Sequence, residues 1–241
     1  MLRTLHYPML WLAAALLVAG CTPPPGAGEF YDPHEQVNRR THAFNVELDE
    51  ALFGGMRGES APPRELLIAV SNFSGNLGLP SKVLNSVLQG RAEPAVANTF
   101  RFLINSSLGL GGLFDPAGNS FGLYERDTDF GETLHVWGVG EGAYVELPVL
   151  GPSTERDAFG KVVDTLIDPL GFVANADQRV IVRLARITGK GSDRLRFGAS
   201  VDSILHGSAD SYAQSRLLYL QNRRYELGST DDVNAFDPYE Q

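Results

Sequence analysis

The chain has 241 residues, a formal net charge of −9, 43% hydrophobic side chains and one cysteine. That length buries a real core in one domain. The single cysteine excludes a disulfide framework within the monomer. The acidic balance and the absence of a basic stripe with interleaved aromatics set nucleic acid aside and argue against adsorption to anionic headgroups by charge.

The first 20 residues carry Arg3 and an apolar run from Met9 to Val18, and end in Val18-Ala19-Gly20 before Cys21. Small residues directly before a cysteine read as a lipobox, and the run is too short for a comfortable membrane span. The expectation is a signal peptide over 1–20, cleaved before Cys21, with a diacylglycerol and an N-acyl chain attached there. No other cofactor is expected. Residues 21–31 are expected to form a lipidated, Pro/Gly-rich tether.

Asp32, Pro33 and Glu35 read as N-cap, N1 and N3 of a helix whose one face carries Val37, Thr41, Phe44, Leu48 and Leu52. Asn38 and Asn45 ride on other faces. They are either plain surface positions or polar groups in a specific setting. Pro62 and Pro63 open the next helix, with Leu66, Val70, Phe73 and Leu77 in register before a break at Gly78. Asn72 and Asn76 share a face of it. They either cap a helix end, the preferred reading for Asn76, or line a polar path. Pro80 then opens a segment with Val83, Leu84, Val87 and Leu88, and Gly90 stops it. Pro94 starts a third, with Val96, Phe100, Leu103, Ile104 and Leu108. The expectation is three short helices in an antiparallel unit.

Gly109 to Gly118 is glycine-rich and closes on the turn Asp115-Pro116-Ala117-Gly118. It leads into Leu113 and Phe114, without the Lys-Ser/Thr of a phosphate loop. Asp127 or Asp129 caps a short helix bearing Phe130, Leu134 and Trp137. Tyr144 to Leu150 is a short strand or an extended apolar loop. Ser153 or Thr154 opens a helix that Asp168-Pro169 ends. A further helix covers Ala176 to Thr188, with Arg179, Arg183 and Arg186 on a solvated side. The last helical region covers Arg194 to Leu227 with a break near Gly207, followed by an acidic tail over 229–241. There is no G-x-S-x-G elbow, H-E-x-x-H or cysteine ligand pair, so no catalytic residue and no metal site is expected.

The runs SNFSGNL, VLQG, FRFLINSSLGLGGLFDPAG, FGETLHVWGVGEGAYVELPVLGPSTERD and, upstream, DPHEQVNRRTHAFN resemble the MlaA/VacJ family of outer-membrane lipoproteins from about Asp32 to Gly228. The resemblance implies a mainly α, disc-like or ring-like single domain over 32–228 with a central amphipathic channel. It implies retrieval of phospholipids misplaced in the outer leaflet, hand-over to a periplasmic carrier of the MlaC type, and trimeric porins as partners. The body would sit in the periplasmic leaflet of the outer membrane. It shifts Asn38, Asn45, Asn72 and Asn76 toward polar lining. Phe44, Phe73 and Phe114 become residues that fix the helices or touch acyl chains. The alternative is a structural lipoprotein without transport activity.

Overall fold

A computed structural model describes residues 30–228. The signal peptide, Cys21, the residues from Thr22 to Glu29 and the acidic tail lie outside them. Among the described residues, ten α-helices and one β-hairpin make a mainly α body. In order these are α1 (Glu35–Phe53), α2 (Arg64–Leu88), α3 (Ala92–Ser107), α4 (Pro116–Asn119), α5 (Phe130–Val136), β1 (Tyr144–Leu147), β2 (Gly151–Thr154), α6 (Glu155–Ile167), α7 (Pro169–Val173), α8 (Ala176–Arg196), α9 (Gly198–Leu205) and α10 (Ser211–Glu226). Two 3-10 turns, Gly54–Met56 and Gly58–Ser60, join α1 to α2.

Helix α2 is the axis. It packs against α3 on one side and α8 on another. The expected break at Gly78 and restart at Pro80 does not occur: α2 runs through both for 25 residues. Pro80 has no N–H for the Asn76 carbonyl, a defect worth about 3 kcal/mol in an isolated helix. Packing against α3 and α8 outweighs it. The crossing with α8 is close. A Cβ on Gly189 would overlap Ser74, so a glycine lets the two backbones approach. The expected three-helix unit is therefore a hairpin of one long helix and α3.

The start of α1 also differs from expectation. His34 is the N-cap, without a side-chain bond, and the helix begins at Glu35. Asp32 is used elsewhere. It accepts hydrogen bonds from Asn38 Nδ2 at 2.8 Å, from the Tyr212 hydroxyl and from the Arg216 guanidinium. A buried carboxylate gains more from a guanidinium than from backbone amides that water can reach. Asp129, Thr154, Asn175 and Asp210 do cap α5, α6, α8 and α10, the third with a full capping box.

The β-hairpin resolves the choice left open at Tyr144–Leu150. Tyr144 pairs with Thr154 and Leu147 with Gly151, antiparallel. The second strand has no apolar alternation in the sequence. Its pairing follows from the turn, where Val149 takes a positive φ of 69°. The last helical region is two helices, broken between Leu205 and Ser211, and α8 reaches Arg196.

The interior is polar and much of the surface is apolar. Of α1, Asn38 and His42 are buried, while Val37, Phe44 and Leu52 are half exposed or more. Of α3, Asn98, Arg101 and Asn105 are buried at i, i+3, i+7 spacing, while Val96, Phe100 and Leu103 face out. The apolar cluster of fully buried residues is small: Tyr144, Tyr212 and Leu220, with Phe30 and Tyr219 packed on it.

The charged part of this interior centres on Asp157. Its carboxylate accepts from Arg223 Nε at 3.0 Å, Tyr219 Oη at 2.6 Å and Arg156 Nε at 3.2 Å. Burial acts to raise its pKa, and the guanidiniums of Arg223 and Arg156 outweigh it, so the pKa lies below the ordinary value. A carboxylate depressed on folding contributes stability above its unfolded pKa of about 4 and loses it as pH falls through the folded value. Asp157→Asn should lower stability at pH 7 by about 3 kcal/mol. It should also flatten the loss of stability below about pH 4, read from thermal melts between pH 7 and 3.

Candidate functional site

Along α2 the residues at small or polar positions form one row: Asn72, Gly75, Asn76, then Gly78, Ser81, Lys82 and Asn85. Two cavities open on this row. One, of about 460 Å³, lies between α2, α3, α8 and the segment around Tyr124, and includes Asn72, Asn76, Arg101, Asn105 and Lys190 in its wall. The other, of about 300 Å³, lies between α2, α6, α7 and α8, and includes Gly78, Asn85, Asp164 and Arg183. Lys82 is in both walls. At about 1.5 Å rise per residue the row from Asn72 to Asn85 extends about 20 Å.

The groups in these walls are positioned by their own bonds. Asn105 donates to Asp115 Oδ1 at 2.8 Å and accepts from Ala117 N at 3.0 Å. Arg101 reaches Asp115 Oδ2 at 3.1 Å and the Leu123 carbonyl. Burial acts against the charge on Asp115, but the Gly118 amide, Asn105 and Arg101 hold its pKa below the usual value. Asn85 donates to Asp164 Oδ1 at 2.8 Å. Burial raises the Asp164 pKa despite the bond to the Phe130 amide. Arg186 clasps Asp168 through two nitrogens, at 2.7 and 3.0 Å, and donates to the Leu77 carbonyl at 2.8 Å. Thus Arg186 is not on a solvated side, as the arginine spacing suggests, but ties α8 to α2 and α7.

The residues singled out from sequence separate into three groups. Asn72 and Asn76 meet at the larger cavity. Asn76 is buried and does not cap its own helix. Its Nδ2 donates to Ser106 Oγ at 3.0 Å and Gly111 O at 3.1 Å, fastening the turn after α3. Its Oδ1 has no hydrogen-bond partner among the described residues. A Cβ on Gly112, where φ is 103°, would strike the Asn76 side chain, so the turn fits only glycine there. Phe73 is half-buried on α2, and Phe114 is 59% exposed on the turn before α4.

Asn38, Phe44 and Asn45 lie apart from both cavities. Asn38 donates to the Tyr144 carbonyl at 3.1 Å and accepts from Glu146 N at 3.0 Å. Asn45 donates to the Leu147 carbonyl at 3.0 Å and accepts from Val149 N at 2.7 Å. These amides act as an extra strand edge, fixing the hairpin to α1. Between them His42 joins Glu146 Oε1, at 3.3 Å, to Ser211 Oγ, at 3.1 Å. Phe44 is half exposed on the outer face. Cys21 lies outside the described residues.

Lys82 and Arg186 carry no motif that sequence reading picks out. Their only signal is position: each falls on the face of its helix that also carries glycine or small residues. Asp49, Asp202 and His206 bring three metal-type ligand atoms close together. Arg194 bonds both carboxylates at 2.6 Å, so a guanidinium already balances that charge.

Residues 30–226 match the family model of the MlaA lipoprotein. The chain belongs to the MlaA family. It is 31% identical over 214 residues to the intermembrane phospholipid transport system lipoprotein MlaA of Shigella flexneri, covering 85% of this chain and 83% of that protein. The Escherichia coli K12 protein of the same name is 30% identical over the same span. An uncharacterised protein of Rickettsia bellii is 33% identical over 201 residues, 82% of this chain and 77% of that one. A chain solved in work on the structural basis for maintenance of bacterial outer membrane lipid asymmetry superposes with a TM-score of 0.64 at 29% identity. That match covers 81% of this chain and 98% of the other. The MlaA family is one of transport lipoproteins.

Asn76→Ala removes both donors that hold the turn after α3 and leaves the Gly111 carbonyl without its partner. It should cost about 1–2 kcal/mol. Hydrogen exchange at the amides of residues 109–115 should accelerate, while exchange in α10 stays unchanged.

Proposed function

We propose that this protein transports phospholipid at the outer membrane as an intermembrane phospholipid transport lipoprotein. It withdraws phospholipids misplaced in the outer leaflet and so maintains lipid asymmetry. The observation that carries this is the inversion of polarity together with the two cavities. The outward faces of α1, α3 and α8 are apolar, including Phe44, Phe100 and Leu184, each at least half exposed. No helix among the described residues is long and apolar enough to cross a membrane. Helices of this kind lie along a leaflet with their apolar faces in the acyl chains.

A headgroup that enters hydrocarbon leaves its polar atoms without partners, at a cost of several kcal/mol. The row on α2 supplies partners over about 20 Å of its length. Acyl chains follow along the apolar outer faces. Asn72 and Asn76 belong to this path. Phe73 and Phe114 flank it, and Phe44 contacts lipid from α1. Asn38 and Asn45 support it indirectly, by holding the hairpin.

The rest of the reading follows from the sequence and the family. Cys21 carries a diacylglycerol and an N-acyl chain, and these hold the body in the periplasmic leaflet. The chemistry requires no catalytic residue and no further cofactor, because a misplaced lipid leaves the outer leaflet downhill. A soluble carrier of the MlaC type receives the lipid, and a trimeric porin holds the protein in place. A purely structural lipoprotein would have no use for a polar row lined by glycines.

The test is outer-leaflet phospholipid in intact cells that lack a redundant system. A deletion and Cys21→Ala should both raise it. Gly78→Leu, which fills the smaller cavity where a Cβ meets only Lys82 Cε at 4.0 Å, should raise it to a similar level with the protein still folded. An unchanged outer leaflet in the deletion strain would sink the transport reading in favour of a structural one.

A further inference from the structure

Lys82 is the residue common to both cavities. It projects from the polar row where the two cavities meet, with Gly75 and Gly78 a turn or two before it. Its ammonium is held by two carboxylates from the segment between α4 and α5: Glu125, and Asp127 at 2.7 Å. Burial opposes the charge on Lys82, but the Asp127 and Glu125 carboxylates hold its pKa above the ordinary value. It is therefore a cation at any physiological pH.

The two partners differ. The Lys82 side chain is 21% exposed and that of Glu125 33%, whereas that of Asp127 is 83% exposed. Release of Asp127 returns a carboxylate to water, where an ion pair is worth under about 1 kcal/mol. An ammonium has three N–H donors, and these carboxylates use two. A phosphodiester is a monoanion with two strong acceptor oxygens. It matches what Asp127 offers in charge and what the third N–H lacks.

Six other cations line the cavities, Arg101, Lys190 and Arg196 in one wall and Arg179, Arg183 and Arg186 in the other, and none of them reaches both as Lys82 does. Two of the six are also clamped differently. Arg186 is doubly bonded to Asp168, and Arg101 is bound both to Asp115 and to the Leu123 carbonyl. A phosphate there would have to break geometry that holds helices together. At Lys82 it displaces one surface carboxylate.

Resting on the transport reading above, we propose that Lys82 is the phosphate-binding residue of the path, and that Glu125 and Asp127 form a displaceable lock over it. With the lock closed, the ammonium and its carboxylates separate the two cavities. A lipid phosphate takes the place of Asp127 on Nζ, and the headgroup passes from one cavity to the other while keeping a charged partner.

The experiment uses the full lipoprotein purified in detergent and exchanged against vesicles of phosphatidylethanolamine and phosphatidylglycerol. Parallel vesicles are doped with diacylglycerol as a lipid without phosphate. Retained lipid is measured by mass spectrometry, and thermal melts check folding. Lys82→Gln should retain about tenfold less phospholipid, the equivalent of one charge-assisted hydrogen bond, with diacylglycerol retention unchanged. Lys82→Arg should keep most of the phospholipid. The double variant Glu125→Gln, Asp127→Asn should retain as much as wild type or more.

Phospholipid retention in Lys82→Gln equal to wild type would overturn the assignment. So would a double variant that loses as much as Lys82→Gln, since the pair would then only brace the fold. If Lys82→Gln loses binding of inorganic phosphate, read by calorimetry, while its phospholipid retention equals wild type, Lys82 reads free phosphate and not a headgroup. Wild-type protein that retains no phospholipid would remove the transport reading itself, and this proposal with it.

Discussion

The buried carboxylates and most of the buried side-chain amide atoms among the described residues are met by other groups in the fold, and the rest of the architecture depends on that matching. Asn98 is fully buried and bonds the Arg126 main chain in both directions, at 2.7 and 3.1 Å. Asn38 does the same for the hairpin, and Asn105 holds the turn into α4 through the Asp115 carboxylate and the Ala117 amide. Each pair fixes a segment without regular structure against a helix. An unmet amide of this kind costs about 1–3 kcal/mol. Apolar packing resists sliding weakly, whereas two opposed hydrogen bonds fix a register. The loops between α3 and α6 are ordered on this basis.

The same matching leaves the outer faces free to be apolar. A water-soluble domain of this size uses its leucines and phenylalanines to build a core. Here Phe100, Leu103 and Leu166 face outward, and asparagines, arginines and aspartates fill the inside. On the transport reading proposed above, a lipid leaflet would supply the apolar medium that a core otherwise provides.

Much of this was legible in the sequence. Most of the helices and the mainly α class follow from apolar spacing and cap residues, as at Asp129 and Thr154. The direction in which the faces point did not. Spacing marks Val96, Phe100 and Leu103 as one stripe, but the same stripe serves a core or a membrane. Asn98, Arg101 and Asn105 form the complementary stripe, and that regularity was the available signal. Pro80 and Gly78 misled because their local cost is real and only distant packing exceeds it. Asp32 misled for a related reason: capping is a local rule, and the Arg216 that claims it lies 184 residues away. Lys82 and its carboxylates are brought together by the fold across 43 residues, with no motif to mark them.

The Asp32 junction also determines how the body would hang from the lipid anchor proposed for Cys21. Phe30 packs against the tyrosine cluster, with the Arg216 guanidinium 5.6 Å from its ring, and the Tyr31 carbonyl accepts from the Tyr144 amide at 2.9 Å. The chain is therefore clamped from Phe30 onward, and only eight residues lie between that clamp and Cys21. Fully extended, this stretch reaches about 30 Å. With acyl chains on Cys21 the linker is a short leash: the face of the protein that carries Phe30 stays within that radius of the lipid surface. On that proposal, tumbling about the anchor would be restricted to rotations that keep the α1, β1 and α10 corner near the membrane. Lengthening the leash would loosen orientation without touching a single contact in the fold.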